Sequence, residues 1–163
     1  MTNGVIIRHE TPEDYDAITR VNDMAFGETL QSRIIKELRE SGEALWSKVL
    51  IRENEIIGHL MFYKVLIDGQ FIAAGLGPLS VLPEYQRQGY GSQLIRDGLN
   101  EANPVQYQII FLLGHPDYYP KFGFSSARGA QYVSPWPRPA FMALQLNDNA
   151  PQSGNLTFPK AYL

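Results

Sequence analysis

The sequence predicts an α/β protein in which a mixed, twisted β-sheet carries helices on both faces. Apolar runs typical of strands alternate with helical apolar patterns, and Asp68-Gly69 is a two-residue hairpin signal. Between Phe71 and Ala102 a strand passes through a short loop directly into a helix. With 163 residues, 44% of them hydrophobic, we expect one domain over residues 1–146 and a C-terminal tail over residues 147–163.

The first elements are a strand and two helices. Val5–Arg8 has the pattern of a strand. Thr11-Pro12-Glu13-Asp14 combines a capping box with proline at the first helical position, so the first helix is predicted to begin at Thr11. Gly27 separates this helix from a second one, whose predicted inward face consists of Leu30, Ile34, Ile35 and Leu38.

The middle of the chain predicts three antiparallel strands, the last of which ends at Val81. The polar turn Glu53-Asn54-Glu55 joins the first two of these strands, and Asp68-Gly69 joins the second to the third. The elements predicted after the central helix are a buried strand at Tyr107–Leu113, a short helix capped by Asp117 and ended by Gly123, strands near Gln131–Val133 and Phe141–Leu146, and a short edge strand at Leu156–Phe158 in the tail.

Composition excludes several classes of function. The formal net charge is -3, from 14 basic and 17 acidic residues without long runs of either sign, which does not suggest a nucleic-acid surface and mildly favours cationic acceptors such as amines. Without cysteine, neither disulfides nor a thiolate intermediate can form. The three histidines show no metal-ligand spacing, and we expect His59 to be a core residue. No apolar run is long enough to span a membrane, so a cytoplasmic protein is expected.

The loop between Val81 and the central helix is the strongest functional signal. Pro83 bars continuation of the strand, and Gly89-Tyr90-Gly91 leads into a helix with Leu94, Ile95 and Leu99 on one face. Such a loop directs main-chain N–H groups to one point at the positive end of a helix dipole, which favours a phosphate. A Walker loop would end in Gly-Lys-Ser/Thr and a dinucleotide loop would read G-x-G-x-x-G, and this loop fits neither.

Two motifs resemble those of the GNAT superfamily, the acyl-CoA-dependent N-acyltransferases. Gln86-Arg87-Gln88-Gly89-Tyr90-Gly91 resembles the family's Q/R-x-x-G-x-G/A pyrophosphate loop, and Tyr119–Phe124 resembles its Y-x-x-x-G-F segment. The order of predicted elements is similar to the GNAT fold over nearly the whole chain. The resemblance implies a mostly antiparallel sheet of six to seven strands with about four helices, and it points to a bacterial branch of predicted N-acetyltransferases whose acceptors are mostly unassigned.

The resemblance implies acetyl-CoA as the cofactor and assigns main-chain groups to it. The amides of Leu79 and Val81 would face the thioester and the pantetheine arm. A bulge at Gly77-Pro78 would turn the Leu79 N–H toward the acyl carbonyl as the oxyanion donor. The amides assigned to the pyrophosphate are those of Gln86, Arg87, Gln88, Gly89, Tyr90, Gly91 and Ser92.

The implied reaction is direct attack of an amine on the acetyl thioester. Tyr119 occupies the position where the family often keeps a general acid, with Tyr118 as the alternative. Many relatives carry an acid on the central strand as the base, but Phe71–Val81 contains none, and Gly75 or Gly77 stands in its place. The base could therefore be His115, Glu28 or no residue at all.

The acceptor is predicted to be a small-molecule or peptide amine, lying between Phe26, Gly27 and Glu28 on one side and the loop 134–140 on the other. In that loop Trp136 could form a binding wall or simply cover the end of the sheet, and Arg138 is a further candidate. Two other functions stay open: a catalytically silent acyl-CoA-binding module and a structural subunit without a ligand. The tail could also pair with another subunit to form a homodimer.

Overall fold

A computed structural model describes residues 4–136 and 139–163 and divides them into two compact units. The first unit consists of the described residues up to Phe62 together with Gly77–Glu101. The second consists of Tyr63–Leu76 and Ala102–Leu163. The two longest strands, the third and the fourth, each run through both units.

The described residues contain four α-helices and eight strands. The helices are α1 (Tyr15–Phe26), α2 (Leu30–Ser41), α3 (Tyr90–Glu101) and the short α4 (Ser126–Gly129). The strands are β1 (Val5–His9), β2 (Ala44–Arg52), β3 (Glu55–Ile67), β4 (Gln70–Val81), β5 (Ile109–Leu113), β6 (Tyr132–Val133), β7 (Phe141–Gln145) and β8 (Gly154–Thr157).

In the first unit the strands follow the order β1-β2-β3-β4. β1 lies antiparallel to β2, with a register that runs from Val5 opposite Arg52 to His9 opposite Lys48. The link between β2 and β3 is a tight turn in which Glu53 and Asn54 both have positive φ, 51° and 66°, as a two-residue hairpin turn requires.

Helices cover both faces of this part of the sheet. His59 on β3 contacts Asn22 of α1, whereas a side chain at the preceding residue, Gly58, would contact Leu94 of α3. Successive residues of a strand point to opposite faces, so α1 and α3 lie on opposite sides. The first unit's core is made of fully or almost fully buried aliphatic side chains, among them Ile18, Val21, Ile35, Leu38, Leu50, Ile57, Leu60, Leu94 and Ile95.

Helix α3 lies close to the sheet because of a glycine. A Cβ added at Gly98 would lie 2.6 Å from the ring of Phe62, so only glycine fits there without a shift. The indole Nε1–H of Trp46 donates to the Gly98 carbonyl at 3.0 Å, and the same indole stacks on Phe62 with ring centroids 4.3 Å apart. Strand β2 therefore fixes the helix that follows the candidate loop.

In the second unit the sheet order is β3-β4-β5-β7, with β8 beside β3 and β6 beside β8. β5 is parallel to β4 over three pairs, from Ala73 opposite Ile109 to Gly75 opposite Phe111, and antiparallel to β7 over its whole length. β8 pairs antiparallel with the end of β3 at Leu66 and Ile67. The core of this unit includes four buried phenylalanines, Phe111, Phe124, Phe141 and Phe158.

Most local sequence signals have the expected structure, with three differences. The short helix predicted to be capped by Asp117 is a 3-10 turn, Tyr119–Phe122, whose N-cap position is Tyr118 without a side-chain cap bond. The capping box at Thr11 is present, since its N–H donates to Asp14 Oδ2 at 2.8 Å, but Pro12–Asp14 forms a 3-10 turn and the α-helix begins only at Tyr15. The inward orientation predicted for Leu30 was wrong: it is 41% exposed because it occupies the first position of α2, before the face that contacts the sheet. No helix of the described residues is long and apolar enough to cross a membrane.

A chain of polar side chains crosses the core of the first unit. The amide of Asn22 donates to His59 Nδ1 at 3.3 Å, and His59 Nε2 lies 2.8 Å from Ser47 Oγ. Ser47 Oγ donates in turn to Glu10, whose carboxylate receives two bonds of 3.0 Å from Arg39. His59 is fully buried and hydrogen-bonded at both nitrogens, which confirms the prediction of a core histidine.

These hydrogen-bonded side chains stabilise the negative charge on Glu10. Burial alone would raise the pKa of its carboxyl, but the nearby His59 ring and the hydrogen bonds from Arg39 and Ser47 outweigh burial and lower the pKa to about 2. Burial lowers the pKa of His59, so this ring stays neutral in the folded protein. A carboxyl whose folded pKa lies below its ordinary value contributes stability above that ordinary value, and the contribution disappears as the pH falls toward the folded pKa.

We therefore predict that Glu10→Gln lowers the free energy of unfolding by on the order of 3 kcal/mol at pH 7, as a shift from 4.5 to about 2 implies. The deficit should shrink as the pH falls from 4.5 toward 2. Urea unfolding at a series of pH values measures it. Glu37→Gln is the matched control, because Glu37 is an exposed acid paired with Arg33 on α2. A Glu10→Gln deficit that stays constant with pH would contradict this account.

Candidate functional site

The end of β4 presents main-chain groups on one free edge. Leu82 N–H donates to the carbonyl of Ile57 on β3 at 2.8 Å. Successive amides of a strand point to opposite edges, so the N–H groups of Leu79 and Val81 point away from β3. The register between β4 and β5 ends at Gly75, before either residue. The two amides predicted to face a thioester thus lie on the same edge of the strand.

A glutamine side chain shapes the loop that follows. Gln86 Nε2 donates to the Val81 carbonyl at 2.9 Å, and Gln88 Nε2 donates to the Glu84 carbonyl at 3.2 Å. The amide of Gln86 already donates to Pro83 O at 3.3 Å, so an anion would be held by the amides after it. Sequence reasoning missed the role of these two side chains, which fold the loop against the strand end.

The loop turns through left-handed backbone before α3 begins. Arg87 has φ 63° and Gly89 has φ 90°, and both residues are exposed. A Cβ at Gly89 would have no heavy atom within 4 Å, so the space beside this backbone is open. The first main-chain bond of α3 runs from Gln93 N–H to Gly89 O at 3.1 Å, which leaves the amides of Tyr90 and Gly91 outside the helical ladder.

The electrostatics of the loop favour an anion. These amides lie at the positive end of the dipole of a twelve-residue helix, whose first turn carries no acidic residue. Arg87 adds an exposed positive charge. The ring of Tyr90 is buried and packs edge-on against Tyr85, so Tyr90 anchors the loop with its side chain and can offer only its amide to a ligand. Ser92 follows in the first turn of the helix.

Tyr119 lies in the second unit, at the start of a 3-10 turn that Gly123 ends with φ 98°. Its ring fills the space that a side chain at Gly114 would occupy and packs against Phe124 with centroids 6.1 Å apart. Burial, followed by the neighbouring Tyr118, raises the pKa of Tyr119 to about 12. At neutral pH Tyr119 is therefore a protonated hydrogen-bond donor.

The predicted bases and acceptor residues lie on different elements of the fold. His115 Nδ1 accepts from the Asp117 amide at 3.3 Å, a local turn bond.

The acceptor residues Phe26 and Glu28 flank Gly27, the left-handed residue that ends α1 in the first unit. Phe26 is 41% exposed, and Glu28 is also exposed. Trp136, in the second unit, is partly buried and packs edge-on against Phe158 with centroids 5.7 Å apart. Arg138 lies outside the described residues.

A separate cavity of about 300 Å³ opens in the first unit and contains none of the predicted site residues. Glu10, Arg39 and Ser47 line it, and these residues already bond to one another. Arg39 also lies over the ring of Tyr15, 3.7 Å from its centroid. Glu10, Arg39 and Ser47 all belong to the buried series of hydrogen bonds that includes His59.

This combination of a strand with a free amide edge, a phosphate-type loop and a helix defines the class of acyl-CoA-dependent transferases. The model of the acetyltransferase (GNAT) domain family matches residues 6–127. The chain belongs to this family and is an acetyltransferase. The family and the fold predicted from the sequence are confirmed.

Two curated relatives from Escherichia coli K12 carry the description of uncharacterized N-acetyltransferases. YjhQ is 33% identical over 77% of this chain and 73% of its own length, and YhbS is 31% identical over 90% of both chains. Among solved structures, Escherichia coli YhbS in complex with CoA has a TM-score of 0.90 at 27% identity, covering 99% of this chain and 93% of that one. A GNAT acetyltransferase from Brucella melitensis in complex with acetyl-CoA has a TM-score of 0.85 at 30% identity, covering 99% of both.

Proposed function

We propose that the protein transfers the acetyl group of acetyl-CoA to a primary amine by direct attack, with both substrates bound at once. The observation that carries this proposal is the convergence of main-chain donors in the first unit. Strand β4 turns the amides of Leu79 and Val81 to one edge, and its end leads into the amides at the N-terminus of α3. The CoA and acetyl-CoA bound by the two structural relatives support the same ligand here.

The loop supplies the binding of the donor substrate. The diphosphate of acetyl-CoA carries negative charge that N–H groups at a helix N-terminus stabilise. We assign to the diphosphate the main-chain N–H donors of six consecutive residues: Arg87, Gln88, Gly89, Tyr90, Gly91 and Ser92. Gln86 contributes by its side chain, which fixes the loop on Val81 O. Because the loop is already folded, binding costs little conformational entropy.

Leu79 supplies the electrostatic part of catalysis. Negative charge develops on the acetyl oxygen as the amine attacks, and the Leu79 N–H is the main-chain donor assigned to it. A single preorganised donor of this kind is worth about 3 kcal/mol of barrier. The neighbouring amide of Val81, on the same edge, would bind the pantetheine arm as an added strand binds a sheet edge.

Tyr119 acts as the general acid toward the sulfur of the leaving CoA. A thiol has an ordinary pKa of about 8.5, well below the pKa of about 12 that burial gives Tyr119. Complete proton transfer between groups so mismatched would cost about 5 kcal/mol. The phenol therefore contributes mainly as a hydrogen-bond donor to the sulfur as its charge grows, and the proton moves fully only as the thiol leaves.

The acceptor is a primary amine, from a small molecule or a peptide. Phe26 and Glu28 in the first unit and Trp136 in the second are the residues we assign to its binding. Glu28 has the charge to attract an ammonium group, and the chain's net charge of -3 acts in the same direction. His115, Glu28 or water takes the proton that the nitrogen loses after the attack. An amine that arrives neutral needs no residue to deprotonate it beforehand.

A second candidate function is a catalytically silent acyl-CoA-binding module. The structure around Gly75 favours this function. Many relatives carry a catalytic acid on the central strand, and Gly75 is one of the two positions where this sequence has a glycine instead. A Cβ at Gly75 would overlap the ring of Tyr63, so this position has no room for an acidic side chain. Binding of acetyl-CoA without turnover of any amine would identify the silent module.

The loop assignment predicts the effect of charge at Gly89. Gly89→Glu should weaken CoA binding at least 100-fold, measured by isothermal titration, because a carboxylate would stand among the phosphate donors. Gly89→Ala is the matched control: it carries the same strain of a side chain at φ 90°, on the order of 1 kcal/mol, without the charge. The control should stay within a few-fold of wild type. If the Gly89→Glu and Gly89→Ala variants bound CoA with equal affinity, the loop assignment would be refuted.

The assignment of Tyr119 predicts a loss of rate without a loss of cofactor. Tyr119→Phe should lower kcat by about 100- to 1,000-fold in an assay of thiol release, with CoA affinity unchanged. Tyr118→Phe serves as the control, and a larger loss there would transfer the role to Tyr118. The assay should use the amine that the wild type acetylates fastest in a screen by mass spectrometry. Full activity of both variants would contradict a tyrosine acid.

A further inference from the structure

The end of strand β2 brings an arginine to the start of the loop that leads into α3. Arg52 is the last residue of β2, and its guanidinium carbon lies over the ring of Tyr85, 5.1 Å from the ring centroid. Tyr85 ends a 3-10 turn, directly before Gln86. A guanidinium at this distance is attracted to the face of an aromatic ring. Arg52 therefore contacts the residue at which the loop begins.

The same guanidinium also interacts with the residue at which the loop ends. The side chain of Tyr90, the first residue of α3, is the hydrogen-bond partner that contributes most to raising the pKa of Arg52 above its ordinary value. The rings of Tyr85 and Tyr90 pack edge-on with centroids 6.5 Å apart. Each of these three side chains thus contacts the other two, and residues 86–89 lie between the two tyrosines along the chain.

The neighbouring acid does not explain the position of Arg52. Glu53 Oε2 lies 3.6 Å from Arg52 Nη1, longer than a hydrogen bond, and the side chain of Glu53 is 79% exposed. An ion pair this exposed is screened by water and salt and contributes little. Tyr90, in contrast, is only 6% exposed. The two tyrosines are therefore the contacts that hold the guanidinium.

The backbone between the two tyrosines requires support at both ends. Arg87 has φ 63°, a left-handed conformation that a residue with a Cβ rarely adopts. Such a conformation persists only where the surrounding structure holds it. The side chain of Gln86 holds the start of the loop on the Val81 carbonyl, and Arg52 connects the residue before the loop to the residue after it.

We propose that Arg52 is a positioning residue for acetyl-CoA, which holds the two ends of the diphosphate-binding loop at a fixed separation through Tyr85 and Tyr90. This inference rests on the proposed function and adds a residue of strand β2 to its cofactor site. A loop that is already ordered loses less conformational entropy when the cofactor binds. Arg52 takes no part in the chemical step, so its removal should raise the KM for acetyl-CoA and leave kcat unchanged.

Isothermal titration with CoA tests this role without requiring turnover. Arg52→Met keeps an apolar stem but loses the contacts to both tyrosines, so it should weaken CoA binding about 5- to 10-fold. Tyr90→Phe loses the hydroxyl alone and should weaken binding about threefold. The double variant should bind CoA no more weakly than Arg52→Met, because both substitutions break the same contact.

Arg52→Lys separates positioning from attraction between opposite charges. Lysine keeps the positive charge but lacks the planar group that lies over one tyrosine while it bonds the other, so it should restore less than half of the lost binding free energy. Arg33→Met is the matched control for net charge, since Arg33 is an exposed arginine of the same unit that pairs with Glu37 on α2. Its CoA affinity should stay within about twofold of wild type.

The melting temperature and kcat of Arg52→Met distinguish a local role from a structural one. Both should be close to wild type, because the substitution leaves the ring of Tyr90 in place. Unchanged CoA affinity in Arg52→Met, full recovery in Arg52→Lys, or a loss of affinity accompanied by a lower melting temperature and a lower kcat would each overturn this inference alone. A wild type that binds CoA and acetylates no amine would overturn only the proposed transfer, and a wild type that binds no CoA would overturn both.

Discussion

The carbonyl of Val81 and the side-chain amide of Gln86 form the contact on which the candidate site depends. It joins the last residue of β4 to the loop that precedes α3, at 2.9 Å. Val81 offers both its N–H and its carbonyl on the edge away from β3, and Gln86 uses the carbonyl, so the amide stays available. The same bond holds the loop where its later amides meet the positive end of the α3 dipole.

Two further constraints keep this arrangement rigid in the first unit. Gly98 lets α3 approach Phe62, and the indole of Trp46 holds the helix by its Gly98 carbonyl. On the opposite face, the polar chain from Asn22 through His59 to Glu10 connects α1, the sheet and α2. A preorganised main-chain site requires such support, because donors that must reorganise lose much of their electrostatic value.

The sequence correctly predicted the structural features that depend on short-range interactions along the chain. Pro83, Gly89 and the apolar positions of α3 are short-range signals, and they located the strand, loop and helix correctly. The capping box at Thr11 and the hairpin at Asp68-Gly69 belong to the same class. The side-chain roles of Gln86 and Gln88 could not be read in advance, because a glutamine before a glycine loop fits a ligand contact and a main-chain contact equally well.

Long-range side-chain contacts were beyond sequence reasoning for a physical reason. That Tyr63 fills the space over Gly75 depends on the alignment of β3 with β4, and the contact of Tyr162 with Tyr63 depends on a tail nearly a hundred residues away. The exposure of Leu30 likewise depends on where α2 first meets the sheet. In each case the hydrophobic periodicity predicted which face of an element is buried, but not which side chains pack against that face.

Amide hydrogen exchange at residues 87–91, with and without CoA, measures the central claim most directly. If these N–H groups hold the diphosphate, saturating CoA should slow their exchange by at least tenfold, while the exposed Glu53-Asn54 turn of the same unit stays unchanged. Exchange at residues 87–91 that is the same with and without CoA, under conditions where binding is complete, would contradict the account.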